Sequence, residues 1–359
     1  MQTFIDIDRL LAAQPPRVGV LLGRIDVGKG SERLHEDQLP ELLTSLAHET
    51  RVESIRASTA IEGYEVDQSR ARALADRPGA RIRNRNEQEF AGYRDAIDEL
   101  MRAARPEQLS VPYILHLHRM LFSHSGGAGG RFKESDNEIA QYGPDGRREV
   151  VFQPPPAPQA AFLTTELVAR YNAAVDAEAA HPLVLLGVLI LDLLAIHPVA
   201  DGNGRLARLV TTHELLRARY GIARYVSVEQ RIYETKAGYY AALRSSQSRW
   251  HDSEHNVWPW IEYLCGVLAV AYDTFEARVS AATQEVGLSK QERVLRHVGH
   301  MQQGREFTLA ELRRALPGIS DQTIRLALAD ARSAGEVEVD GRGRGARWRR
   351  RLGHAERRR

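Results

Sequence analysis

The chain has 359 residues, of which 43% are apolar and 27% charged, with a formal net charge of +2. That length leaves room for roughly two or three domains, and the apolar share excludes a disordered or fibrous chain. The near-zero charge gives no global argument for nucleic acid, although arginine is dense from position 342 onward.

Residues 1–14 carry acids and no basic stretch ahead of an apolar run, so no secretory leader is expected and a cytoplasmic location is. The one cysteine, Cys265, lies in an apolar run and reads as a buried thiol. Gly23 to Gly30 contains Gly-x-x-x-x-Gly-Lys, but Gly30 stands where a phosphate-binding loop needs Ser or Thr, so the segment reads as a turn. A helix is expected near 39–53, after Pro40. A further helical stretch, 51–63, is stopped by Gly63, with Ser58 and Glu62 four apart on one face. Residues 86–101 set Phe90, Tyr93, Ile97 and Leu100 on one helix side, and 111–122 read as another helix. His116, His118 and His124 read there as packing or surface residues. Beyond a glycine-rich loop at 125–130, Glu138-Ile139-Ala140 and Val150-Val151-Phe152 flank Gly143-Pro144-Asp145-Gly146, which predicts a β-hairpin within 131–153. A helix over 162–174 follows. Pro182 then opens an apolar helix to Ile196, interrupted by Asp192. That run is shorter than the roughly 20 residues a membrane span needs, so it reads as a buried central helix and no membrane contact is expected.

The next twelve residues carry the most chemistry: His197-Pro-Val-Ala-Asp201-Gly202-Asn203-Gly204-Arg205-Leu-Ala-Arg208. His197 can take a proton from a hydroxyl, since an unperturbed imidazole titrates near neutrality. Asp201 offers hard oxygen to Mg²⁺, which usually binds with phosphate oxygens as co-ligands. Gly202 and Gly204 let backbone N–H groups approach an anion at a helix start, and Arg205 and Arg208 can fork onto phosphates. The competing reading is a plain connecting loop, which seven specified residues in this order disfavour.

This segment resembles the signature of the Fic family, complete except at Val199, where the family usually has a packing Phe. The resemblance, which covers roughly 40–275, implies a mainly α fold: a Fic-type helical bundle with a β-hairpin flap. It implies transfer of a phosphate-containing group, most often AMP from ATP, onto a Tyr, Thr or Ser hydroxyl of a target protein. His197 would then be the general base and Asp201 the Mg²⁺ ligand. Gly202, Asn203 and Gly204 would form an anion hole, with Arg205 and Arg208 on the outer phosphates. Ser58 to Gly63 resembles the family's inhibitory motif, so Glu62 would pair with Arg208 and keep it from the γ-phosphate. The hairpin at 131–153 is similar to the flap that pairs with an extended stretch of the target. Tyr239-Tyr240-x-x-Leu243 and Trp258-Pro-Trp260 resemble segments lining the base, so Tyr233, Tyr239 and Tyr240 are candidates for adenine stacking or for core packing. Removal of AMP, transfer of UMP, phosphate or phosphocholine, and a DNA-binding regulator with a Fic sensor core stay open, as does a homodimer.

Helices are expected after the signature at 204–219, 228–246 and 258–275. His251 and His255 have metal-like spacing but no third ligand, so both read as exposed. From Ser289 the pattern restarts: Ser289/Glu292 and Thr308/Glu311 are capping boxes, and Ser320 caps a third helix. Strands at 335–339 and 346–348 around a Gly/Arg turn complete the pattern of a small α+β winged-helix domain. Gln322, Arg325 and the arginines of 342–350 would be its contacts if it binds DNA; protein docking is the alternative. The expected division is 1–80, an N-terminal region with the inhibitory motif; 81–280, the catalytic core; 285–352, the winged-helix-like domain; and 353–359, a basic tail.

Overall fold

The computed structural model describes residues 3–351 except 5–6, 78, 103–104, 128, 143–146, 285–288, 302–304, 317–318 and 342–345. It is mostly helical and divides into two compact units, Met1–Ala277 and Arg278–Arg359. Residues 1–80 therefore belong to the same unit as the expected catalytic core.

The first unit opens with α1 (Ile7–Ala12), α2 (Pro16–Gln38), α3 (Pro40–Ile61), α4 (Gln68–Asp76), α5 (Arg85–Arg102) and α6 (Val111–Leu121). The turn expected at 23–30 is instead the middle of α2. Glycine there permits close packing: a Cβ on Gly28 would lie 2.6 Å from the Tyr272 ring. One turn on, the buried Glu32 accepts a hydrogen bond of 2.8 Å from the Tyr272 hydroxyl, and burial pushes its carboxyl up to about 7. The two helices expected over 39–63 are one, α3, ended by Gly63 at φ 88°.

A hairpin follows, β1 (Ile139–Tyr142) against β2 (Arg148–Phe152), antiparallel with a bulge after Ile139. Its expected turn, 143–146, lies outside the described residues. Then come α7 (Ala157–Asp176), α8 (Pro182–Ile196), α9 (Asn203–Arg217), α10 (Val228–Glu234), α11 (Lys236–Gln247) and α12 (Trp258–Gln284). The single helix expected over 228–246 is broken at Thr235. Apart from Pro182, every residue of α8 is buried, so it forms the axis of the bundle. Its one acid, Asp192, accepts hydrogen bonds from Trp250 Nε1 (2.7 Å) and Thr3 Oγ1 (3.2 Å). His251 is exposed and stacks on Phe152, whereas His255, expected in solvent, is half-buried against Thr3 Oγ1 at 3.0 Å. Among the described residues no helix is long and apolar enough to cross a membrane.

The second unit contains α13 (Lys290–His300), β3 (Glu306–Thr308), α14 (Leu309–Ala315), α15 (Asp321–Ser333), β4 (Val337–Asp340) and β5 (Arg347–Arg350). Both expected capping boxes form, and Ser320 caps α15. The expected two-stranded ribbon gains β3, giving an antiparallel sheet of order β3-β5-β4 over a core that includes Val294, Phe307, Leu312, Ile324 and Leu328. Gln322 and Arg325 are exposed on α15, but the strand arginines are engaged: Arg347 with Glu306, Arg349 and Arg351 with Glu338, and Arg350 with the Gly299 carbonyl.

Candidate active site

The loop between α8 and α9 carries the signature, and its backbone is tied down at almost every carbonyl. α8 ends at His197 in the left-handed region, φ 51°, a conformation that costs energy for a residue with a Cβ. Lys133 Nζ donates to the Ile196 carbonyl (3.3 Å) and its backbone N–H to that of Pro198 (2.9 Å). Asn137 Nδ2 donates to His197 O (3.4 Å) and Val199 O (3.1 Å). His118 accepts from Gly130 N–H at Nδ1 (2.9 Å), so its Nε2 carries the proton and donates to Asp201 O (3.1 Å). None of these three supports stands out in the sequence, where each is one polar residue far from the signature.

His197 Nδ1 faces the Leu194 carbonyl at 3.2 Å. A carbonyl only accepts, so Nδ1 holds the proton and Nε2 keeps its lone pair. Burial pushes the imidazole down to about 4, against the Leu194 hydrogen bond, with the nearby Lys133 charge acting in the same direction as burial. The ring is therefore neutral at physiological pH.

The rest of the signature divides by role. Asn203 is expected among the catalytic and anion-binding residues, but its buried side chain grips the loop: Oδ1 accepts from Val199 N–H (3.1 Å) and Nδ2 donates to Val199 O (2.8 Å). The Gly202 N–H is likewise committed, to Asp201 Oδ1 at 2.7 Å. The N–H groups of Asn203, Gly204 and Arg205, in the first turn of α9, are left without intrahelical partners. Arg205, expected on a phosphate, is 1% exposed and ion-paired through Nη1 with Glu89 of α5, itself fully buried. Its guanidinium lies over the rings of Tyr64 (5.4 Å) and Phe122 (5.5 Å), which leaves little access for a ligand. Asp201 is 57% exposed, with Oδ2 3.8 Å from Arg85 Nη2 and 3.9 Å from Arg205 Nη2. Among the described residues no three His, Cys, Asp or Glu side chains cluster as metal ligands. A single open carboxylate suits Mg²⁺ completed by a ligand's phosphate oxygens and suits an all-protein metal cage poorly.

Arg208 meets the end of α3. Its Nε donates to Ser58 Oγ (2.8 Å), and its Nη2 donates to Ser58 O (2.9 Å) and Glu62 Oε1 (2.8 Å). The buried Nη1 has no hydrogen-bond partner among the described residues. Glu62 lies directly over the start of α9: a Cβ on Gly204 would stand 2.4 Å from its Oε1 and 3.4 Å from Arg208 Nη1. One carboxylate thus sits where orphan N–H groups, a helix dipole and a guanidinium converge.

With this geometry the likeness to known proteins can be weighed. Residues 108–215 match the Fic/DOC family. The chain is a Fic-domain protein. It is 26% identical over 179 residues to "Protein adenylyltransferase Fic" of Nematostella vectensis, over 48% of this chain and 39% of that protein. It is 30% identical over 125 residues to "Protein adenylyltransferase and cysteine protease IbpA" of Histophilus somni, over 35% of this chain and 3% of that protein. The chain thus spans well under half the length of these curated relatives. A solved Fic family protein from Desulfovibrio desulfuricans G20 superposes with a TM-score of 0.60 at 24% identity, over 94% of this chain and 96% of that one, a likeness of fold.

Within the Fic domain Val199, which stands where the family usually has Phe, is fully buried. The tyrosines beyond the domain's matched span differ in access. Tyr239 is buried edge-on against Tyr240, Trp260 and Tyr263, so it cannot stack on a base, whereas Tyr240 is 39% exposed.

Proposed function

We propose that the protein is an adenylyltransferase that moves AMP from ATP to a Tyr, Thr or Ser hydroxyl of a target protein, and that Glu62 holds it in a low-activity state. The observation that carries this reading is the Glu62 carboxylate on Arg208 over Gly204, an anion in a site built for anions, with a lone-pair imidazole on the same loop. Glu62 stands in for a phosphate oxygen; the orphan Arg208 Nη1 beside it is a donor that a triphosphate would satisfy.

The target hydroxyl gives its proton to His197 Nε2 as its oxygen bonds to the α-phosphorus. The bond from that phosphorus to the β-phosphate oxygen breaks, and pyrophosphate leaves. The N–H groups of the first α9 turn and Arg208 hold the outer phosphates, so that the α-phosphorus lies in line with the hydroxyl. Asp201 would hold Mg²⁺, which supplies charge neutralisation on the phosphates. A base with its pKa near 4 is weak, but bound phosphate charge beside it raises its basicity when the substrate is present. The hairpin β1–β2, whose Val150 is exposed, offers the target a strand edge.

Mass spectrometry of the Glu62→Gly protein after incubation with mixed nucleotides tests the reading. An AMP adduct that the additional change His197→Ala abolishes is expected. A UMP, phosphate or phosphocholine adduct would replace the donor, and an adduct that survives His197→Ala would remove the base.

A further inference from the structure

We propose that a second anion site, separate from the α9 cradle, lies between α4 and the start of α5 and takes a multiply charged phosphate group. Arg70, Arg77, Arg81 and Arg83 line a hollow of about 600 Å³ whose remaining walls include the small side chains of Ala73 and Ala80. No carboxylate lines it, and no residue of the 197–208 loop does either.

The hollow is framed by one buried acid. Glu87 accepts two hydrogen bonds of 2.8 Å from Arg70 and a third of 2.8 Å from the Arg83 backbone N–H. Arg70 also donates to the Arg81 carbonyl. A wall guanidinium and the chain opposite it are thereby fixed before any ligand arrives. Arg70 in turn, by its hydrogen bond, holds the Glu87 carboxyl below the usual carboxylate range.

A run of arginines is ordinarily a solvated face balanced by neighbouring acids. Here three of the neighbouring acids are committed elsewhere: Asp67 caps α4, Asp76 pairs with His48, and Glu89 pairs with Arg205. The guanidinium groups of Arg77, Arg81 and Arg83 are exposed, and the one acid whose charge Arg83 feels is Glu87, which is already hydrogen-bonded to Arg70. Four guanidinium groups sharing the charge of one carboxylate around a concavity repel each other, and a polyanion removes that repulsion. The planar donor fork of arginine matches phosphate oxygens, and a hollow of this size admits a small molecule.

Calorimetric titration of the full chain with inorganic tripolyphosphate at low salt tests the proposal. Arg77→Gln/Arg81→Gln/Arg83→Gln should weaken binding by about tenfold or more at an unchanged unfolding temperature. Arg208→Ala, which damages the α9 cradle, should leave this binding in place. Should the triple variant lose stability, Arg77→Gln alone carries the test, since its guanidinium touches nothing that holds the fold. In the Arg208→Ala protein ATP should bind about as well as tripolyphosphate, and AMP more weakly. Wild-type affinity in the arginine variants, or loss of all binding in Arg208→Ala alone, would overturn the proposal. So would a site that takes ATP but refuses tripolyphosphate. Failure of the AMP-transfer reading leaves this titration untouched, because no transfer is measured.

Discussion

Replacing Glu62 should set the resting activity of the protein, and the structure gives the size of the effect. Glu62 Oε1 lies 2.8 Å from Arg208 Nη2, with Arg208 4% and Glu62 30% exposed. A hydrogen bond to a charged group contributes about 1.5–3 kcal/mol, and partial exposure of the carboxylate favours the lower part of that range. At about 1.4 kcal/mol per decade, Glu62→Gly should make Arg208 available to a phosphate about tenfold more readily, and up to about a hundredfold. Glu62→Gln keeps the shape and still accepts from the charged Arg208 but gives up the ion pair, so it should fall between. The assay is the initial rate of AMP incorporation by intact-mass spectrometry, beside calorimetric affinities for ATP and ADP. The expected order of rates is Gly, then Gln, then wild type. On the proposed reading ATP should gain more affinity than ADP, because Arg208 would serve the outermost phosphate. Equal rates for Gly and wild type, or Gln exceeding Gly, would refute the reasoning.

A Cβ at Gly204 would occupy the space now held by Glu62 Oε1, so Gly204→Ala should displace the carboxylate yet fall well short of the Glu62→Gly rate. In the Glu62→Gly background it should lower the rate of AMP incorporation by about tenfold or more. Because burial holds His197 near 4, kcat/KM of the Glu62→Gly protein should stay flat from pH 8 down to about pH 5 and fall only below that; an acid limb near 6.5 would mean an exposed ring. Burial raises the Asp192 carboxyl from 3.8 to about 6, so the folded state binds more protons than the unfolded between those values and loses stability as pH rises through them. Asp192→Asn should therefore lose this pH dependence, so that its stability relative to the wild type rises between pH 4 and pH 6, read from thermal unfolding at the two pH values. Glu89→Ala leaves Arg205 buried without its acid and should cost about 3–5 kcal/mol in denaturant unfolding.

Local chemistry was legible in the sequence and long-range pairing was not. The signature gathers base, carboxylate and arginines within twelve residues, and the loop that joins α8 to α9 keeps them together. The Ser58/Glu62 pair could be read because four-residue spacing puts both on one face of α3, and both meet Arg208. Glu89 could not: it is one acid on an amphipathic helix, and its partner is 116 residues away. Lys133, Asn137 and His118 were hidden for the same reason, since binding a loop carbonyl needs only one donor and leaves no motif. In α2 glycine misled, because the residue type that makes turns also permits close helix packing, as Gly28 does against Tyr272. Tyr239 and Tyr240 are adjacent in sequence, yet α11 turns one into the aromatic core and leaves the other at the surface.

The two signature arginines, three apart on one helix, were expected to share a role, and their counter-ions separate them. Glu89 lies inside the bundle on α5 and is fully buried, so exchanging it for a ligand would expose Arg205 to the full cost of an unpaired buried charge. Arg205 is thereby a fixture, and its remaining reach is toward Asp201 at 3.9 Å. Glu62 sits at the C-cap of α3, nearly a third exposed, one residue before a glycine in the left-handed region. Water or phosphate can replace it there with modest rearrangement, while Ser58 goes on holding Arg208 through Nε and Nη2. A phosphate that displaces Glu62 therefore finds a guanidinium already oriented. On the proposed reading, the affinity lost to competition with Glu62 would be set by one exchangeable hydrogen bond, and a partner that draws the end of α3 away would adjust it.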